Sequence, residues 1–356
     1  MKAKALQRLP SLHLARPSQE IPTNPHRIQR QYSFSKPISL IGGLLLTIVG
    51  LHNTMDMIGQ GQVMHLFSKA CHNKRFTSEE LSSGNLDRRN IIPYLDDSYK
   101  SSELTHQIVK PTPSYPISND TKSKPAPPLP QCTWVYFMFQ LASLTALKSL
   151  ATETLTLPSS YISTDDALTA FIWKSVTRAR LSRLDSTVES TLARAVDVRR
   201  YLDIPQTYPG MAQNMTYHTY TLQKLVEEPL GGVASQLRLA LDPGTSNLGY
   251  DTRALATLLD RTPDKNIISF IATIDLSADI MISSWAKIDC YGLDFNLGLG
   301  EPEAVRRPQF VPVESLIYFM PRAPDGEIAV AICLRDEDME RLRADEEFAK
   351  YGRYIG

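Results

Sequence analysis

The sequence has few cysteines, and the four that it has lie far apart. Cys71, Cys132, Cys290 and Cys333 are scattered over 356 residues without the close spacing of metal ligands or of a disulfide framework. Such scattered cysteines are typical of reduced thiols in the cytosol. We therefore predict a cytoplasmic protein that holds no metal ion and no disulfide bond.

The sequence also lacks an excess of charge of either sign. Its 38 Lys and Arg residues balance 38 Asp and Glu residues, so the formal net charge at pH 7 is zero. Nucleic acids and anionic membranes attract proteins with a basic surface. We therefore expect neither nucleic acid nor a membrane to be the main partner.

No apolar run is long enough to form a membrane-spanning helix, which needs about twenty residues. The most apolar segment, 38–51, is shorter and contains Gly42, Gly43 and Gly50. We predict a buried strand over this segment. Membrane association through it is an alternative, and its length and its glycines argue against that alternative.

Two segments differ in composition from the rest. Residues 1–36 contain seven basic residues and one acid, Glu20, and they predict either a basic targeting segment or, as we favour, a disordered tail. Residues 111–131 are too rich in proline for a helix or strand, which predicts a linker. The linker would divide an N-terminal domain, 37–110, from a C-terminal domain, 132–356.

Helix and strand patterns alternate through both parts, which predicts an α/β class with mixed sheets. A helix is expected after Asp56, and another after the capping sequence Ser163-Thr164-Asp165-Asp166. Trp134 begins an apolar aromatic segment that continues as a helix to Ala151. Strands are predicted over 192–198, 267–274, 280–285, 315–320 and 328–334, and further helices over 233–241, 252–259 and 337–351.

The most informative local pattern is His52-x-x-x-Asp56, between the predicted strand and the first helix. A neutral imidazole in such a loop can accept a proton from an alcohol near pH 7. The spacing alone is also typical of a surface histidine followed by an aspartate that caps a helix. The spacing alone therefore does not distinguish a catalytic histidine from a surface histidine.

Three further segments that can be compared with known motifs follow along the chain. They are Asp197-x-Arg199, Ser283-Ser284-Trp285, and Asp294-Phe295-Asn296-Leu297-Gly298. Together with His52-x-x-x-Asp56 they resemble the BAHD family of acyl-CoA-dependent acyltransferases. The signatures of that family are His-x-x-x-Asp and a later Asp-Phe-Gly-x-Gly. The resemblance extends from about residue 38 to the end, and it is greatest to the fungal trichothecene 3-O-acetyltransferase-like branch.

This resemblance implies a chloramphenicol-acetyltransferase-like fold of two α/β domains, with the active site between them. It also implies a monomer that uses acetyl-CoA or another acyl-CoA as co-substrate, without a permanently bound cofactor. The acceptor would be a hydroxyl group of a fungal secondary metabolite. His52 would be the general base, at the end of a strand and facing the cleft between the domains.

The resemblance also assigns the other site residues. Asp56 would pair with Arg199 in a structural role instead of polarising His52, as a dyad would require. Ser283 would donate a hydrogen bond to the oxyanion beside Trp285, although an ordinary strand end with a core tryptophan is equally expected there.

Two further parts of the resemblance concern the turn motif and the coenzyme. Asp294 and Gly298 would stabilise a turn, with Asp294 as a turn-stabilising carboxylate and not a proton carrier. Ser163, Thr164 and Asp165 would bind the coenzyme at a helix start, and plain helix capping is the alternative for them.

The chain departs from the family pattern in several places. Met57 and Asn296 stand where the family has glycine, and Leu51 replaces the first histidine of the related His-His-x-x-x-Asp-Gly motif of condensation domains. Family members carry a longer N-terminal portion, so we expect a truncated N-terminal domain. A second hypothesis is therefore a catalytically inactive remnant that binds a ligand or partner without turnover.

Overall fold

The computed structural model of the protein describes residues 33–40, 42–97, 99–109, 130–155, 161–308 and 310–356. Most of the predicted basic tail and most of the predicted proline-rich linker lie outside the described residues. Within them, no helix combines the length and apolar character needed to cross a membrane.

The segment predicted as one strand, 38–51, belongs to an antiparallel hairpin. Strand β1 (Ser33–Leu40) pairs with β2 (Gly43–Gly50). Gly42 in the turn has a φ of +81°, a left-handed conformation that glycine adopts without steric cost. In the described part of the chain the two strands pair only with each other. The prediction of a single strand is therefore wrong, because the glycines reverse the chain.

Helix α1 (Met57–Cys71) follows the hairpin, and α2 (Ser78–Gly84) follows α1. The first turns of α1 lie directly on distant parts of the chain. A Cβ atom at Gly59 would come 2.4 Å from the carbonyl oxygen of Pro209, and one at Gly61 would come 2.7 Å from the Ile288 side chain. Glycine is therefore required at Gly59, where the neighbour is backbone, whereas a larger residue at Gly61 would have to displace the Ile288 side chain.

The remaining strands form one seven-stranded mixed sheet in the order β5-β4-β6-β7-β8-β3-β9. Strand β6 is parallel to both of its neighbours, and the other pairings are antiparallel. The strands are β3 (Cys132–Phe139), β4 (Glu189–Asp197), β5 (Gln213–Thr221), β6 (Ile280–Ser284), β7 (Leu316–Phe319), β8 (Ile328–Arg335) and β9 (Gly352–Tyr354). The mixed sheet confirms the predicted α/β class.

Helices pack around this sheet. They are α3 (Leu141–Glu153), α4 (Thr164–Arg180), α5 (Leu222–Glu227), α6 (Leu230–Leu239), α7 (Leu248–Arg261), α8 (Asp336–Ala344) and α9 (Glu346–Tyr351), and short 3-10 turns span Arg88–Asn90, Ser101–Gln107, Arg199–Tyr201 and Lys265–Ile267. Helix α4 is buried along nearly its whole length, and its Phe171 and Trp173 pack with Phe137 and Ile282 of the sheet. The core therefore lies between α4 and the sheet.

The strand predicted over 267–274 is wrong. This segment begins with a 3-10 turn and makes a single isolated bridge, between Ile108 and Ile268. Its apolar side chains Ile268 and Phe270 pack against α7 instead of a neighbouring strand. A run of apolar residues indicates burial, but it does not show whether a partner strand exists.

The predicted division at the linker stays a prediction. Residues before the linker pack on residues after it: Ile91 and Ile92 contact a cluster around Val198, and Leu104 packs with Leu255 of α7. The two predicted domains therefore share packed surfaces in the described part of the chain.

Arg180, at the end of α4, should matter strongly for stability. Its side chain is fully buried, donates to the carbonyl oxygens of Leu276, Ala278 and Asp279, and lies 3.6 Å from Asp338. Burial lowers its pKa to about 10, so it stays charged near neutral pH.

We predict that Arg180→Met lowers the free energy of unfolding by about 3–5 kcal/mol, because it leaves buried acceptors without a donor. Urea titration measures the change. The matched control is Arg89→Met, which removes an exposed ion pair with Asp87 and should leave the midpoint unchanged. Equal midpoints for both variants would contradict the role given to Arg180.

Candidate active site

His52 lies two residues after β2 ends, in the loop that leads to α1. The predicted place at the end of a strand is therefore confirmed. Its side chain is exposed, and it makes no hydrogen bond within the described residues. The expected enclosure in a cleft is not seen in the described part of the chain.

Asp56 is buried, with 4% of its surface exposed. Its carboxylate oxygens accept hydrogen bonds from groups other than His52, which argues against a role as a proton carrier. Its Oδ1 accepts from the backbone N–H of Gly59 (2.7 Å) and from Nη2 of Arg199 (3.0 Å), and its Oδ2 accepts from the N–H of Ala212 (2.7 Å). The predicted pair with Arg199 is confirmed. The carboxylate thus caps α1 and joins it to two later segments.

Arg199 is fully buried at the centre of this arrangement. It also donates to Asp197 (2.7 Å) and to the carbonyl oxygens of Tyr208 (3.2 Å) and Gly210 (2.7 Å). Burial alone would lower the pKa of Arg199, but the carboxylates of Asp56 and Asp197 outweigh burial and raise it. The guanidinium is therefore a permanent charge that fixes the start of α1.

Ser283 and Trp285 meet at the end of β6. The indole Nε1–H of Trp285 donates to the Ser283 hydroxyl oxygen (3.1 Å), and the Trp285 ring lies 4.8 Å from the Tyr318 ring. A hydroxyl that accepts one hydrogen bond keeps its own hydrogen for another acceptor. Ser283 can therefore still act as a donor, which its predicted role requires.

Asp294 stabilises its own turn, as predicted, and the structure places this turn against the end of α1. Its Oδ1 accepts from the N–H of Asn296 (2.9 Å), and its carbonyl oxygen accepts from the Ser68 hydroxyl (2.6 Å). Asn296 has a φ of +54° and Gly298 has a φ of +73°. Asparagine visits this left-handed region more readily than other side chains, which explains how it can replace the glycine of the family motif.

The start of α4 is dominated by ion pairs. Ser163 caps the helix by accepting from the N–H of Asp166, so the capping alternative holds for this residue. Asp165 pairs with Arg194 (2.6 Å), and Asp166 pairs with Arg194 (2.9 Å) and with Arg238. Sequence reasoning missed Arg194 and Arg238. The signal for Arg194 was a charged residue inside the apolar run Leu192–Val196, since a charge there needs a buried partner.

Similarity to a known family and to named proteins extends over most of the chain. The profile of the Transferase family matches residues 40–349. An O-acetyltransferase of Cryptosporiopsis sp. is 60% identical over 319 residues, which are 89% of this chain and 68% of that protein. The trichothecene 3-O-acetyltransferase of Fusarium sporotrichioides is 49% identical over 328 residues, covering 90% of this chain and 69% of that protein.

Solved structures agree with the sequence matches. The crystal structure of F. graminearum TRI101 complexed with coenzyme A and deoxynivalenol superposes with a TM-score of 0.84 at 46% identity. The match covers 91% of this chain and 70% of that one. The chain thus spans a little over two thirds of the length of these relatives.

We predict that Asp56→Ala lowers the free energy of unfolding by about 3–5 kcal/mol, because it leaves Arg199 buried with an unbalanced charge. Differential scanning calorimetry would show this as a lower melting temperature. Asp97→Asn is the control, since that carboxylate is fully exposed in its pair with Arg261. An unchanged melting temperature for Asp56→Ala would contradict the structural role of the pair.

His218 should make the free energy of unfolding depend on pH in the acidic range. Burial, with the nearby positive charge of Arg194, lowers its pKa from 6.5 to about 4. Between these values the unfolded chain binds the proton more readily, so the stability that neutral His218 provides is present above pH 6.5 and is lost as the pH falls towards 4.

We therefore predict that His218→Gln reduces the loss of stability between pH 6.5 and pH 4, measured by urea titration at several pH values. Comparison with the parent cancels the contribution of the carboxylates, which both chains share. The same slope in both chains would show that His218 does not titrate in this range.

Proposed function

The chain belongs to the Transferase family, that of the BAHD acyl-CoA-dependent acyltransferases, and we propose that it transfers an acetyl group from acetyl-CoA to a hydroxyl group of a secondary metabolite. The observation that carries the proposal is the His52 loop, in which the imidazole stays free while the buried pair of Asp56 and Arg199 holds the helix start. The similarity to named O-acetyltransferases supports the choice of acyl group and acceptor.

His52 acts as the general base in the proposed reaction. Its imidazole accepts the proton of the acceptor hydroxyl while the oxygen attacks the thioester carbonyl. The new C–O bond forms, a tetrahedral oxyanion results, and the C–S bond breaks. The coenzyme A thiolate then takes the proton from the imidazolium and leaves as the thiol.

Ser283 stabilises the oxyanion in this proposal. Its oxygen accepts from Trp285, so its own hydrogen is available to the negatively charged oxygen of the intermediate. Removal of one such donor typically costs about 2.7–4 kcal/mol of transition-state stabilisation. Trp285 and the adjoining Tyr318 shape the pocket beside it.

The acyl group passes directly between the two substrates. Burial raises the pKa of the Cys290 thiol to about 11 and that of the Cys333 thiol to about 12. Both thiols are therefore protonated near neutral pH, and a protonated thiol is a poor nucleophile. This supports a mechanism without a covalent acyl-enzyme on either of them.

The coenzyme lies near the start of α4 in this proposal, at Ser163, Thr164 and Asp165. Backbone N–H groups in the first turn of a helix favour phosphate groups. The carboxylates of Asp165 and Asp166 are neutralised there by Arg194 and Arg238, so they repel an anion less than free carboxylates would. The backbone of this turn is thus the expected contact.

Small molecules are the proposed partners, and a cytoplasmic monomer is the proposed form. The formal net charge of zero supports a reaction on small molecules rather than on nucleic acid or at a membrane surface. Acetyl-CoA is a co-substrate, released as free coenzyme A after each turnover.

A second candidate is binding of acetyl-CoA without turnover. The exposure of His52 favours it, because a general base works best where water is excluded from the reacting groups. The two candidates differ in whether free coenzyme A thiol is released.

We predict that His52→Ala lowers turnover by about 10²–10⁴-fold, the usual contribution of general-base catalysis. Free thiol is measured after incubation with acetyl-CoA and a panel of hydroxylated terpenoids. Acetyl-CoA binding, measured by calorimetry, should barely change, because the imidazole meets the acceptor. His65→Ala is the matched control, since His65 lies on the surface beside Glu80.

The outcomes separate the candidates. Full activity of His52→Ala would show that the mechanism is wrong. If the parent chain and His52→Ala both bind acetyl-CoA and neither releases free thiol, the non-catalytic candidate is favoured.

A further inference from the structure

Ser284 connects the end of β6 to the start of α4. Its hydroxyl donates to Oδ1 of Asp165 (2.5 Å) and accepts from the N–H of Ala286 (3.4 Å). These two bonds flank Trp285 in the sequence. The backbone of Trp285 is held further by its N–H bond to the carbonyl oxygen of Phe319 (2.8 Å).

Asp165 is itself held by a chain of ion pairs with buried and half-buried partners. Its Oδ2 accepts from Nη2 of Arg194 (2.6 Å), and Nη1 of the same arginine donates to Oδ1 of Asp166 (2.9 Å). Arg194 is 5% exposed, and Asp166 is fully buried. Arg238 of α6 closes the chain by donating to Oδ2 of Asp166 (2.8 Å).

The charges in this chain balance, with two carboxylates facing two guanidinium groups. Burial alone would lower the pKa of Arg194, but Asp165 and Asp166 outweigh it and raise the pKa. Arg194 and Asp166 are buried, so loss of either one would leave an uncompensated charge in the interior, which favours the observed pairing. Asp165 is therefore a fixed anchor for Ser284.

The anchor acts from the face of the sheet opposite to Ser283. Ile280 and Ile282 of β6 belong to the core under the helices, so Ser284 points to the same side and Ser283 points to the other. The strand end is thus held from the helix side, and Ser283 and the Trp285 indole, which contacts the Tyr318 ring, lie on the opposite face.

We propose that Asp165, held by Arg194, is a positioning residue that fixes Ser283 and Trp285 through Ser284. This inference rests on the proposed function, in which Ser283 stabilises the oxyanion. It also gives the Asp165 carboxylate a role different from coenzyme binding, because each of its oxygens already accepts a hydrogen bond and because a carboxylate repels phosphate.

Ser284→Ala tests the proposal with the ion pairs left intact. We expect a fall in kcat of about 10–100-fold, since a misplacement of about 1 Å can cost two orders of magnitude. The KM for acetyl-CoA should change by less than about twofold, because binding contacts remain. Ser284→Thr keeps the hydroxyl and should restore most of the kcat. Asp165→Asn should resemble Ser284→Ala in kcat but with lower stability.

A structural readout separates this inference from the proposed function. The three tryptophans are labelled with nitrogen-15, and the Trp285 indole N–H signal is identified by its loss in Trp285→Phe. In Ser284→Ala this signal should shift, while the signals of Trp134 and Trp173 stay in place. Glu314→Gln is the control, since it removes an ion pair with Arg335 elsewhere in the fold.

The proposal is overturned if Ser284→Ala leaves both the kcat and the Trp285 signal unchanged. It is also overturned if Asp165→Asn raises the KM for acetyl-CoA at constant kcat, which is the result expected of a coenzyme contact. If the parent chain shows no transfer, the proposed function fails and the Trp285 signal alone decides whether Ser284 positions this strand end.

Discussion

The buried ion pair between Asp56 and Arg199 is the interaction on which the rest of the candidate site depends. Removing two charges from water costs several kcal/mol per ion, so such a pair is stable only when hydrogen bonds satisfy its other donors and acceptors. Here the carboxylate also caps α1 and accepts from Ala212, and the guanidinium also meets Asp197, Tyr208 and Gly210. The pair thereby joins three segments that are distant in the sequence.

Helix α1, whose start is held by this pair, contacts distant parts of the chain at both of its ends. Its first turns lie on the Pro209 backbone and on Ile288, three residues after Trp285, and its last turn binds the Asp294 turn. Helix α1 therefore connects the loop that carries His52 to the segment that follows Trp285.

Buried arginines organise the second half of the site in the same way. Arg194 occupies the helix side of β4, where an unpaired charge would be costly, and its two carboxylate partners lie in the first turn of α4. The first turn of α4, a helix with its own capping box, is thus also the part that contacts β6. One short segment serves helix formation, charge balance and the placement of a strand end.

The sequence by itself determined the elements whose signals are local. The sequence predicted the cap at Ser163, the apolar periodicity of α4, and the parallel strands β4, β6 and β7. These features could be predicted because they depend on residues close together in the sequence. The family motifs further indicated that Asp56 would meet Arg199. Even the change to Asn296 is intelligible from the residue alone, since asparagine accepts a positive φ.

Only the tertiary structure decided the rest. The segment 38–51, predicted as one strand, belongs to a hairpin, and the segment 267–274 forms no strand. Strand β5 was not predicted, because its polar residues lack the alternation of apolar and polar residues that indicates a strand. The tertiary structure also shows that Ser284 and Arg194 both donate hydrogen bonds to Asp165, and that His52 is exposed. Each of these outcomes depends on a partner far along the chain, and local periodicity carries no information about that partner.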